Sequence, residues 1–142
     1  MKVRHLARIG GFSLLETLAV LTISAVLMAF AVPGLGKNSE VVRLDKAASD
    51  LRCIWRAERR YRLERGTFTD SLAALEAAGY IRPALVNADD PYTYQVTVGT
   101  RAELIVEAKR TGSSHWYGTI RMDELGEISG DVKSKDGDLL TP

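Results

Sequence analysis

Apolar residues run almost unbroken from Phe12 to Val32, and within that run Glu16 is the one charged position. As a helix the run is about 32 Å long at 1.5 Å per residue, close to the ~30 Å hydrocarbon core of a bilayer. Pro33-Gly34-Leu35-Gly36 follows and predicts a helix break, because proline lacks a donor and crowds the preceding turn while glycine lowers helix propensity. From Asn38 to Arg65 the pattern changes to three- and four-residue steps. Leu44, Ala47, Ala48, Leu51, Ile54, Trp55 and Tyr61 share one face, with Arg43, Asp45, Lys46, Asp50, Arg52, Arg56, Glu58 and Arg59 opposite. Gly66 ends this second helical stretch. Thr69 or Asp70 is placed to cap a short helix, Ser71–Ala78, closed by Gly79.

Beyond Pro83 and Asp89-Asp90-Pro91 the period shortens to two. Strands are expected at Tyr92–Val98, Glu103–Lys109 and His115–Met122, with a short fourth around Ile128 and turns at Gly99-Thr100-Arg101, Thr111–Ser114 and Glu124–Glu127. Ser129–Pro142 reads as a polar tail. The expected fold class is α+β: a long N-terminal hydrophobic helix packed on a small antiparallel sheet of 3–4 strands. The expected organisation is a leader at 1–11, an apolar helix at 12–36 and a head at 37–142. Within the head fall the helix 38–65, the loop and short helix 66–91, and the sheet 92–129.

A carboxylate one turn inside an apolar span costs something like 2.5–3.5 kcal/mol if placed centrally, and less near an end. Glu16 therefore asks for a use. Upstream, Lys2, Arg4, His5 and Arg8 are accompanied by no acid, and Gly10-Gly11 separates them from the apolar block. Basic residues on that side predict the leader in the cytoplasm and the bulk of the chain outside. Cleavage at the glycines would leave the apolar helix on the mature chain. Two other readings stay open: a secretory signal cut after Ala29-Phe30-Ala31, or an uncleaved anchor.

Gly11-Phe12-Ser13-Leu14-Leu15-Glu16, the apolar block and the following Pro33 resemble the N-terminal signal of type IV prepilins and type II secretion pseudopilins. The loop Arg65–Thr69 with Leu72, Leu75 and Gly79-Tyr80-Ile81 is also similar to the pilin segment between long helix and sheet. The resemblance implies cleavage between Gly11 and Phe12 by a prepilin peptidase, N-methylation of Phe12, an assembly role for Glu16, and a helix loosened at Pro33 and Gly34. It further implies single-pass residence in the bacterial inner membrane and then a pilus or pseudopilus. The partners would be other pilins, an assembly platform and an ATPase. Physical reasoning agrees on one point: the new amine at Phe12 and a neighbour's Glu16 would neutralise each other in a low-dielectric bundle. One such pair among apolar helices fixes register, as a single polar residue does in a coiled coil.

Charge and composition narrow the rest. Nineteen basic and eighteen acidic residues nearly balance, and loss of Lys2, Arg4 and Arg8 tips the mature chain slightly acidic. That balance gives no overall electrostatic case for nucleic acid. A local case rests on Arg56, Arg59 and Arg60 beside aromatics, which would suit a minor pilin binding DNA or another ligand. The lone Cys53 excludes an intrachain disulfide and reads as a small packed residue. Asp131, Asp136 and Asp138 around Gly137 are candidate calcium ligands, although their spacing is not that of an EF-hand. The only histidines are His5 and His115, and no phosphate loop, metal-ligand set or nucleophile–base pairing is visible, so an enzyme is not expected.

Overall fold

Ser13 opens the first helix, its hydroxyl and carbonyl oxygens both accepting from the Glu16 N–H. The computed structural model describes residues 13–86, 91–99 and 103–142, with the side chains of 30–35 outside that description. Helix α1 spans Leu14–Arg65. It passes through Pro33 and Gly34 uninterrupted, contrary to the expected break. Proline removes a single i→i−4 bond, and the turns on either side retain theirs. The chain divides into two compact units, Met1–Asn38 and Ser39–Pro142.

In the second unit, α1 ends where Gly66 adopts a left-handed backbone (φ 83°). Helix α2, Leu72–Ala77, is capped by Ser71, whose hydroxyl accepts from the Ala74 N–H. The cap is thus neither Thr69 nor Asp70; Thr69 instead accepts from the Ser71 N–H. A single 3-10 turn, Pro83–Leu85, leads to the sheet.

Five strands form it, one or two more than expected: β1 Tyr92–Val98, β2 Leu104–Arg110, β3 Trp116–Met122, β4 Ile128–Ser134 and β5 Leu139–Leu140. They follow chain order and every neighbouring pair is antiparallel. Most of the segment expected to be a polar tail is therefore sheet. The fourth strand expected around Ile128 is present but runs on to Ser134, and two glycines explain why its length escapes a search for alternating apolar residues. A Cβ on Gly118 would collide with the Asp131 carbonyl oxygen, and one on Gly130 with that of Thr119. Both have positive φ, so β3 and β4 cross closely where side chains are absent.

The core joins one stripe of α1 to one face of the sheet. Leu44, Ala47, Ala48, Leu51, Ile54 and Ala57 meet Tyr92, Tyr94, Val96, Leu104, Val106, Ala108, Trp116, Ile120, Met122, Val132 and Leu140, with Leu75, Ile81 and Leu85 completing the cluster. Trp55 and Tyr61 are half-buried at its margin. Asp50 and Glu58, expected on the solvent side, are buried. At 3.6 residues per turn, Glu58 continues the series Leu44, Ala47, Leu51, Ile54, and the helix has no other face to give it.

Candidate functional site

Three regions hold the residues singled out by sequence. The first is the start of α1. Gly11 and Phe12 lie outside the described residues, so the expected cleavage junction and the Phe12–Glu16 pairing do too. Glu16 stands in the first turn of α1, and among the described residues its carboxylate has no partner. Around it the helix is apolar on every side. Leu14, Leu15, Leu18, Val20, Leu21, Ile23, Val26, Leu27 and Met28 are all exposed. At about 100° per residue these positions cover the full circumference rather than a stripe. The two threonine hydroxyls among them are already satisfied, Thr17 donating to the Leu14 carbonyl and Thr22 to those of Leu18 and Ala19. Among the described residues no helix is long and apolar enough to cross a membrane. The expected span Phe12–Val32 lies only in part within them.

The second region is the arginine-rich end of α1, where the structure separates the three expected contact residues. Arg56 and Arg60 line one groove; Arg59 lines another with Arg62, Leu63, Gly66 and Phe68. The Arg59 guanidinium lies 4.8 Å from the centre of the Trp55 ring, and Arg62 the same distance from Phe68. The first groove, about 490 Å³, runs between α1 and the turn after α2. Small residues make its floor: Ser49, Cys53, Ala57 and Gly79. Arginines make its walls, Arg52, Arg56 and Arg60 from α1 and Arg82 from the facing turn.

Tyr80 and Glu64 fix one end of this groove. Glu64 takes the Tyr80 hydroxyl and also accepts from Arg60 Nε at 3.0 Å. Those two hydrogen bonds, the tyrosine first, hold the Glu64 carboxyl below the usual carboxylate range. The Arg60 guanidinium stacks over the Tyr80 ring at 4.6 Å. Asp50, the one acid in the lining, is already engaged. It accepts from the Tyr94 hydroxyl at 3.0 Å and lies 3.7 Å from Lys46 and 3.9 Å from Arg82.

The third region is the C-terminal segment. Asp131, on β4, pairs with Lys133 at 3.2 Å, and Asp136 lies 3.3 Å from His115 Nε2. The backbone N–H groups of Asp136 and Asp138 donate to the Ser134 hydroxyl. The structure does not bring the three aspartates together, and among the described residues no group of three His, Cys, Asp or Glu could hold a metal ion.

Besides Asp50, sequence reasoning missed two fully buried carboxylates, Glu40 and Glu58. Glu40 is fully buried against Arg110, which donates to it through Nε and Nη2, the latter at 3.0 Å. Arg110 also donates to the Pro91 and Thr111 carbonyls. A signal existed, since Arg110 continues the inward alternation Leu104, Val106, Ala108, and Glu40 lies one helical step before Leu44. Glu58 accepts from the Thr69 N–H at 3.0 Å through Oε2, while its Oε1 is buried with no partner among the described residues. Burial pushes its carboxyl up to about 7, with Asp70 adding to the rise and the Thr69 hydrogen bond opposing it. No family model, curated protein or solved structure matches this chain.

Proposed function

We propose that this chain is a structural subunit of a type IV pilus or a related type II secretion pseudopilus. In this reading a prepilin peptidase cuts between Gly11 and Phe12, and Phe12 becomes the methylated N-terminus. The helix is held first in the inner membrane and then in the core of a filament, while the α+β head covers the outside. No catalytic or cofactor chemistry is assigned to the chain.

One observation carries the proposal: the start of α1 exposes large apolar side chains around its whole circumference, with a carboxylate in the first turn that has no partner among the described residues. Each such side chain is worth roughly 1.5–3 kcal/mol on burial, so nine of them leave more than about 10 kcal/mol unspent in a single chain in water. Other copies of the same helix can take up that area. Glu16, opposite a neighbour's terminal amine, would then set the axial stagger.

The test is assembly in cells. Glu16→Leu is expected to insert into the membrane normally and fail to enter filaments. Normal filament incorporation of Glu16→Leu would refute the assembly role. Gly11→Leu should leave the leader attached, read as a heavier intact mass.

A further inference from the structure

We infer that the groove walled by Arg52, Arg56, Arg60 and Arg82 is a binding site for the phosphodiester chain of single-stranded nucleic acid. Three of these guanidiniums stand four residues apart on one line of α1, so they are spaced about 6 Å from one to the next along the helix. Arg82 faces them from the turn beyond α2. Like charges at i,i+4 work against a helix, and among the described residues neither Arg52 nor Arg56 has a carboxylate partner. The lining's one acid, Asp50, is held by Tyr94 and Lys46 and lies 3.9 Å from Arg82 at the edge of the row. An anion lying along the row removes that repulsion.

The arrangement also says which anion. Four guanidiniums converging on a point would suit a compact phosphate; a row in an open trough suits a linear polyanion. At the end of the trough Tyr80 is fixed by Glu64 and stacked with Arg60, which offers a planar ring–guanidinium face to a base. A run of acidic side chains would use the row and leave Tyr80 without a role. Arg52 and Arg56 can each take a phosphate through two parallel N–H donors, while Arg60, whose Nε is given to Glu64, and Arg82, 3.9 Å from Asp50, contribute their remaining donors and their charge. The site lies wholly within Ser39–Pro142 and does not depend on the filament reading.

The test is fluorescence anisotropy of a labelled oligothymidylate with the full chain in nonionic detergent micelles, over a salt series. Saturable binding is expected, with log K falling against log salt at a slope of about −2 to −3 for three or four arginine contacts. Arg52→Gln/Arg56→Gln should flatten that slope by about 1.4. Tyr80→Ala should weaken binding about ten-fold while leaving the slope unchanged. Arg121→Gln, on the outer side of β3, should change neither. Absence of binding at low salt would overturn the inference. So would unchanged binding by the double arginine variant with its native circular dichroism intact. Equal displacement by polyglutamate would also overturn it, and would mark the groove as a site for an acidic protein. None of these outcomes alters the Glu16 assembly test.

Discussion

Glu58 makes the second unit's stability depend on pH in an unusual direction. In an unfolded chain its carboxyl has the ordinary value of 4.5; in the fold, burial raises it to about 7. Between those values the native state holds a proton that the unfolded state has released. Stability is therefore fully present below about pH 4.5 and falls as pH rises through 7. The separation corresponds to about 3 kcal/mol of cost to the charged form, most of it developing between about pH 5 and 8. Geometry gives the same sign: the ionised carboxylate has one hydrogen bond, from the Thr69 N–H, for two fully buried oxygens. Glu58→Gln keeps the shape and the Thr69 bond and removes the titration. Urea unfolding of the full chain in micelles, followed by the fluorescence of Trp55 and Trp116, would compare the two proteins at pH 5 and pH 8. The variant's stability relative to wild type should rise by about 2 to 3 kcal/mol between those pH values. A relative stability constant within about 0.5 kcal/mol would refute the burial argument.

Two further outcomes follow from the packing. Arg110→Met alone leaves buried Glu40 with only the half-exposed Arg43, 3.2 Å away, as its ion partner and should cost about 3 kcal/mol, whereas Glu40→Leu/Arg110→Met together should recover most of that loss in the same unfolding assay. Gly118→Ala and Gly130→Ala should each cost about 2 kcal/mol or more, read as a lowered midpoint, because the added methyl meets the backbone of the paired strand.

Legibility in the sequence tracked how strongly each residue's own chemistry decides its place. The helix end at Arg65 was readable because Gly66 follows it, and β1 because Tyr92, Tyr94 and Val96 alternate without exception. The start of β4 at Ile128 was readable but its length to Ser134 was not, since Gly130 and Asp131 are poor strand formers, and their conformation is set by the backbone of β3 lying against them. The buried carboxylates were hidden for a related reason. A charged residue on a helix is ordinarily assigned to solvent, and what overrides that for Glu40 is an arginine seventy residues away. For the arginine cluster, sequence proximity suggested one patch of Arg56, Arg59 and Arg60. One residue of offset turns a helix by about 100°, which is enough to send Arg59 to the Trp55 side while Arg56 and Arg60 share a groove with Arg82.

The two ends of α1 solve opposite problems with the same repeat. Over Leu44–Ala57 the apolar residues form a stripe, and a sheet of the same chain covers it. Over Leu14–Met28 they encircle the helix and remain exposed. A stripe specifies one partner in one orientation, because turning the helix exposes it. An encircling apolar surface specifies none, since any rotation or axial slide against a similar helix buries comparable area. Burial at this end can therefore supply affinity without supplying order. Order has to come from a feature that is single and directional, and within the described part of this surface Glu16 is the one charged side chain. Its placement in the first turn means a mismatch in stagger leaves a carboxylate unneutralised among apolar side chains, a cost that area alone cannot offset. The proposed assembly role of Glu16 rests on the uniformity of the helix around it as much as on the charge itself.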